Sequence, residues 1–537
     1  MKRLMSILLM LAMVFTLFAC EEPEKDEECS HKYKVVKTIS ATCTEEGKVK
    51  YQCSKCDHTY SVESPKLEHD YQGGSCNSPA TCAVCGAVGP EGSGHRYEGY
   101  ACVVCGDETD TFVMPENGYD GSEVTIVFYH TMGAALRSVL EDYIGDFNAM
   151  YPNIHVVHKQ VGSFDDVRDS VAAGIMDGSQ PNITYCYPDH VALYNQSNAV
   201  AALDIFINST ATATTGSGSK KTLGLSAKQI NDFIDGFYEG GSQFGDGVMY
   251  TLPMSKTTNV LYYNKTFFDT HGLSVPTTWE EMEQVCQQIL QIAPNSIPLC
   301  IDYEDDWFIT MCAQYNSPYT SATGEHYLFD NETNRSFVQQ LRDWYQKGYV
   351  NTFNSTGGTY GSDYLNREES YMVISASSSA AYHKGNYELG AAGIPQVDPA
   401  NPKVISWGPD LCILKNDNAQ EVLASWLFVK FLTTNAEFQA DFSMSSGYLP
   451  VTESACEDIV YQMYLDYADG YNAVAPLAIK AALTQIDAFF TPAAFVGSAE
   501  AAVEVGNIIS YACTMQGNGN SKELIRKIFA DAIANCP

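Results

Sequence analysis

The sequence predicts an α/β protein with a small cysteine-rich module ahead of its main domain, and three observations carry that prediction. From residue 123 onward, short apolar strands alternate with segments of helical periodicity. Nine cysteines fall between residues 21 and 110, against eight in the 427 residues that follow. Apolar residues make up 45% and charged residues 18% of the chain, the balance of a globular protein and not of a disordered one. A length of 537 residues suits one large two-lobed domain plus something small, or three domains. The net charge of −34 argues against a nucleic-acid partner, because phosphate backbones are gripped by Lys and Arg.

The first element is a targeting segment. Lys2 and Arg3 precede the apolar run LMSILLMLAMVFTLFA, residues 4–19, which is shorter than the roughly 20 residues needed to cross a bilayer. It ends in Leu17-Phe18-Ala19-Cys20, which resembles a bacterial lipobox, with Phe18 bulkier than the usual residue. The resemblance implies that Cys20 becomes the lipidated N-terminus, held on the outer face of the cell membrane. The alternative is a secreted protein cut nearby. Residues 20–28 read as an acidic tether.

Residues 29–105 form a repeat module. HKYKV at His31, HDYQG at His69 and HRYEG at His95 each precede a Cys-x-x-Cys knuckle, at Cys53/Cys56, Cys82/Cys85 and Cys102/Cys105. Two thiolates on one tight turn, completed by a second pair of donors, close a tetrahedral zinc shell, and units this small need such a staple. The pattern resembles zinc-ribbon-like repeats of bacterial surface proteins. Cys29, His31, Cys53 and Cys56 make one natural structural zinc site, and Cys82, Cys85, Cys102 and Cys105 another; Cys43, Cys76, His69 and His95 stay unassigned. Disulfides are the alternative, since cysteines outside the cytoplasm oxidise readily. A spacing or docking role above the membrane follows for this module. Residues 106–122, around DETDTFVMPENGYDG, read as an acidic linker with Pro115, Gly118 and Gly121.

The main domain, 123–537, opens with a strand at 124–130, a helix stopped by Pro152, a second strand at 154–161 and a second helix beginning at Phe164. Later elements continue the theme: strands at 260–264, 371–375 and 410–415, a helix from Thr278 to Ile292, and an apolar helix over 422–434. Such alternation predicts a parallel-type sheet with ligand sites at its strand ends.

Several segments then carry a family resemblance. TLPMSKTTNVLYYNKTFFDTHGLSVPTTWEEM (251–282), WLFVKFLTTNAEFQADFSMSSGYLPVTESA (426–455) and DFNAMYPNIHV (146–156) resemble extracellular solute-binding proteins, family 1, of ABC importers, most nearly the glycerol-3-phosphate and sugar-binding branch. The resemblance implies a two-lobed periplasmic-binding-protein-like fold of type II, with a crossover near 251–264 and a solute held between the lobes for delivery to permease subunits. Carried over by position, its ligand contacts fall on Phe164, Thr257, Ser377, Ser378, Gly408 and Tyr448, with Tyr129 and His130 at the first strand end. The branch's acidic contact falls on Pro188, beside Asp189, and its arginine near Phe495, which puts the specificity of the branch in doubt.

Aromatic residues add candidates of their own. Trp307 and Trp407 could stack on a sugar ring, while Trp279 suits helix-start packing and Asp305/Asp306 a solvated face. No GxSxG, HExxH or matched nucleophile and base is present, so the sequence reads as a binding protein rather than an enzyme. The alternatives are glycerol-3-phosphate or glycerophosphodiester binding, a surface carbohydrate-active enzyme, and an adhesion or sensor protein. A neutral saccharide is the expected solute: a phosphate needs a cation, and Lys256 is the only obvious one in the hinge turn. If Cys20 is the acylation site, Cys20→Ala should shift the protein from membrane to medium in a fractionation; unchanged membrane retention would reject the anchor.

Overall fold

Seven strands build the N-terminal module of the computed structural model, which describes residues 32–72, 81–88, 95–103, 105–516 and 521–537. β1 (Tyr33–Ile39), β2 (Gly47–Cys53) and β3 (Thr59–Ser64) form an antiparallel sheet. β4 (Tyr71–Gln72) pairs with β5 (Thr81–Cys82), and β6 (Tyr97–Cys102) with β7 (Glu108–Val113). Strict alternation in β2 buries Val49, Tyr51 and Cys53 and exposes the residues between them. Cys20, Cys29, His31 and Cys76 lie outside the described residues.

Residues 106–122 are not a linker. Glu108–Val113 is strand β7, and Phe112 and Tyr119 are buried in the main core. The acidic composition hides this because a strand held at one deeply buried ring needs only one large apolar residue. Phe112 packs edge-on against Tyr100 of β6 and against Phe206, which stacks on Trp426, so the third repeat shares a core with the domain behind it.

The main domain is two sheets. β8 (Val124–His130), β9 (Ile154–Gln160) and β10 (Ile183–Cys186) start the first; β11 (Thr212–Thr214) and β12 (Lys220–Thr222) make a small hairpin beside it, and β13 (Leu252–Pro253) closes its edge. The chain then crosses to the second sheet and lays down β14 (Thr257–Asn264), β15 (Ile297–Ile301), β16 (Val350–Thr352), β17 (Ser370–Ala376), β18 (Leu389–Ala392) and β19 (Val404–Trp407). It returns at once through β20 (Asp410–Ile413), and β21 (Phe489–Phe490) later adds to the second sheet. The strand orders are β13-β20-β10-β8-β9 and β16-β15-β17-β14-β19-β21, with β18 also on β14.

Neither sheet is purely parallel. β8, β9 and β10 are parallel, as the alternation predicts, but β20 runs antiparallel to β10, and β14 antiparallel to β17, β18 and β19. The reason is the crossing itself: a strand arriving from the other lobe enters the sheet from the hinge end, opposite to strands fed by a local helix. The helices sit where caps and stops place them. Ser163 caps the helix Phe164–Asp177 in a box with Asp166, and Thr278 caps Trp279–Ile292 in a box with Glu281. The helix Ala419–Thr434 is apolar nearly all round, and it is correspondingly buried, with Trp426, Phe428 and Val429 among its enclosed residues.

The three chain crossings meet at Lys256. Its ammonium lies 2.5 Å from Asp410 Oδ1 and 3.2 Å from the Gly408 carbonyl, both groups of the second crossing. Its main chain pairs with Leu449 of the third, the Leu449 N–H donating to Lys256 O at 2.6 Å. Gly408 has a φ of +140°, and a Cβ there would sit 2.3 Å from the Ser255 carbonyl, so only glycine lets the first two crossings approach. Asp410→Ala would leave a buried ammonium unpaired and is expected to destabilise the fold by about 3–5 kcal/mol in chemical denaturation, whereas Lys256→Met with Asp410→Leu should recover most of the loss. A loss within about 1 kcal/mol for the single variant would contradict this.

Candidate functional site

A cavity of about 620 Å³ opens between the two sheets, in the range that small-molecule clefts occupy. Its walls come from chain leaving the carboxyl ends of strands. After β9 come Ser163, Phe164 and Asp165; after β10, Tyr187, Pro188 and Asp189; after β15, Tyr303, Asp305 and Asp306. Trp407 and Gly408 of the second crossing, with Lys256 of the first, form the floor.

Two aromatic pairs face this space. On the first lobe, Phe164 lies against Tyr187 with ring centroids 4.6 Å apart. On the second, Tyr303 lies against Trp407 at 5.8 Å. Rings on both walls give apolar faces for a flat, partly apolar ligand surface.

The polar lining is acidic. Asp165, Asp189, Asp305 and Asp306 line the cavity, and each stands in the first turn of a helix, where the positive end of the peptide dipole favours a carboxylate. Burial and its neighbour Asp305 push Asp306 well above the usual carboxylate range; burial also pushes Asp305 up. Both cations of the lining are engaged. Lys256 is held by Asp410, and Arg168 reaches Asp165 and Asp169 at 2.9 Å each.

Residues 142–468, well over half of the chain, match the bacterial extracellular solute-binding protein family. The chain belongs to that family. A relative is the sn-glycerol-3-phosphate-binding periplasmic protein UgpB of Shigella flexneri, 23% identical over 370 residues, which span 62% of this chain and 75% of the relative. Among solved structures, the cyclic alpha-maltosyl-1,6-maltose binding protein of Arthrobacter globiformis is similar with a TM-score of 0.61 at 16% identity, covering 77% of this chain and all of that one. UgpB of Mycobacterium tuberculosis, in complex with glycerophosphocholine, gives 0.58 at 18% identity over 76% of this chain and 97% of its own. The fold is thus that of two-lobed solute-binding proteins, and no helix among the described residues is long and apolar enough to cross a membrane.

Of the residues expected at the site of this solute-binding protein, Phe164, Trp407 and Gly408 line the cavity. Thr257 and Ser377 are buried behind it, their hydroxyls 2.9 Å apart, and Ser378 joins them at 3.3 Å. Tyr448 is near enough to Tyr187 and Tyr303 to add to the upward shift that burial gives both hydroxyls.

Three expectations are corrected. Trp307 is 4% exposed and packs edge-on against Trp279 and Phe337, inside the second lobe. A helix turns about 100° per residue, so when Asp305, Asp306 and Ile309 face the cavity, Trp307 and Met311 face the core. His130 is fully buried, its Nε2 2.9 Å from His158 Nδ1. Tyr129 lies under the Lys159 ammonium at 5.0 Å. As neighbours on a strand the two side chains take opposite faces of the sheet: His130 stacks on His158, Tyr129 packs against the cluster of Val167, Val171 and Val191, and neither lines the cavity.

The residues missed are Tyr187, Tyr303, Asp165 and Arg168. Their signal was positional: each lies at the carboxyl end of a strand or in the helix turn that follows it. Because a raised carboxyl pKa costs folding stability above the unfolded-state value and nothing below it, Asp306→Asn should raise the thermal midpoint of the solute-free protein at pH 7. The gain should vanish near about pH 3, where the ordinary carboxyl is itself protonated. Scanning calorimetry at the two pH values checks both halves.

Proposed function

We propose that the protein is a solute receptor for an ABC importer and that its cleft takes a neutral saccharide. The observation that carries this reading is the pairing of aromatic faces on both walls with acidic side chains and no uncommitted cation in the lining. Sugar rings present apolar C–H faces to aromatic residues, and their hydroxyls donate to carboxylates. A phosphate would enter a site lined by four aspartates and meet no free cation there, because Lys256 and Arg168 are already paired. The helix N-termini that could otherwise welcome an anion are answered by the chain's own aspartates. Structural neighbours named for cyclic alpha-maltosyl-1,6-maltose binding and for sugar binding are consistent with the choice. Binding without chemistry is consistent with the family.

One observation favours a second reading. Carboxylates beside aromatic rings also suit a quaternary ammonium, so the choline end of a glycerophosphodiester such as glycerophosphocholine fits this lining better than its phosphate does. Lipid anchoring through Cys20 would place the receptor on the outer face of the membrane, next to a permease.

Titration calorimetry against maltose-type oligosaccharides, glycerol-3-phosphate and glycerophosphocholine decides among these. Saccharide binding is expected, weakened about tenfold, ~1.4 kcal/mol, by Trp407→Ala or Phe164→Ala and left unchanged by Trp307→Phe. Micromolar binding of glycerol-3-phosphate with none of a saccharide would overturn the reading.

A further inference from the structure

Among its described residues, the second repeat has almost no apolar interior. Its strands β4 and β5 are two residues each, and its buried cluster is Cys43, Tyr71 and Cys82, with Ala87 against it. A unit of this size cannot hold itself together by burial alone. Two of the three buried side chains are thiols, and they point at one another. Cys43 Sγ lies 3.9 Å from Cys82 Sγ, and Cys85 Sγ lies 3.1 Å from His69 Nδ1. The ligand atoms of Cys43, His69, Cys82 and Cys85 all fall within 4.8 Å of one another.

We propose that these four residues are a closed structural zinc site that supplies the second repeat with its core. Tetrahedral zinc with Zn–S bonds of about 2.3 Å separates two thiolates by about 3.8 Å, the spacing that Cys43 and Cys82 adopt. Three thiolates and one imidazole are a shell typical of structural zinc, with no open position for a substrate. The neighbouring repeat shows the same local geometry independently: Cys105 Sγ lies 3.1 Å from His95 Nδ1, in a cluster with Cys102. There the far nitrogen, Nε2, lies 3.1 Å from an Asp107 carboxylate, the outer partner that fixes a metal-bound imidazole.

The assignment replaces the knuckle-to-knuckle grouping that spacing suggests. Cys82 and Cys85 do not join Cys102 and Cys105. The knuckles Cys82/Cys85 and Cys102/Cys105 each take the histidine that precedes them, His69 and His95, and Cys43 reaches Cys82 from before the first knuckle, Cys53/Cys56. The site therefore straps two consecutive repeats together. Disulfides account for this set less well, because three thiols leave one over, and so do the module's nine.

The test uses the full chain, reduced, exposed to zinc sulfate and freed of loose metal, with zinc measured per chain. Cys43→Ser and His69→Ala should each hold one equivalent fewer than the parent, and His69→Cys, a ligand swap, should restore it. In the cobalt-loaded chain, Cys43→Ser should remove one site's worth of thiolate-to-cobalt charge-transfer absorption. Zinc content in Cys43→Ser equal to the parent, or a protein purified with Cys43 and Cys82 joined in a disulfide and taking no zinc after reduction, would overturn the proposal. Saccharide calorimetry on the same variants keeps this outcome separate from that of the cleft.

Discussion

The geometry of the main domain depends on one buried contact, the ion pair of Lys256 with Asp410. Two opposite charges taken out of water must find each other in good geometry, or the desolvation cost of each is left standing. Here the pair sits where the chain passes between lobes, and its partners belong to different crossings: Asp410 and the Gly408 carbonyl to the second, the Leu449 backbone to the third. Burial pushes the Asp410 carboxyl up while the Lys256 ammonium and the Thr251 hydroxyl draw it down. The contact thereby fixes where β19 ends and β20 begins, and with them the floor on which a solute would rest. It also removes from the cleft the one cation that the hinge sequence advertised.

The aromatic and acidic parts of the cleft share one origin. A strand ends, an aromatic residue follows, and a helix begins with aspartate in its first turn. This happens after β10 with Tyr187 and Asp189, and after β15 with Tyr303 and Asp305/Asp306. After β9, Phe164 and Asp165 open the helix that Ser163 caps. The aspartates are local helix-start features first, favoured by the dipole wherever they occur. Convergence of several such starts on one space turns a folding preference into a ligand-facing surface.

Much of this was legible in the sequence, though unevenly. The strand and helix alternation, the stop at Pro152 and the helix start at Thr278 follow from periodicity and local chemistry, which are properties of neighbouring residues, whereas the crossover near 251–264 came only from the family resemblance. Side-chain direction does not. The helix Glu304–Gln314 is apolar on most of its surface, so nothing in its pattern separates the face of Asp306 from that of Trp307. The two residues ended on opposite sides. Tyr129 and His130 stand at a strand end yet pack into the first lobe, because what covers each face of β8 is a long-range fact. In the repeats, knuckle spacing was visible, but the partner of Cys82 lies 39 residues earlier, beyond any local signal.

The shared core of Tyr100, Phe112, Phe206 and Trp426 bears on where this polypeptide can be divided. Composition suggests a cut at residue 123, between a cysteine-rich leader and a conventional receptor. Such a cut would strip two rings from an aromatic stack and lay bare Phe206, which is wholly enclosed in the intact chain. The third repeat is better counted as the outermost layer of the first lobe, so the boundary between module and receptor falls inside the repeat array and not after it.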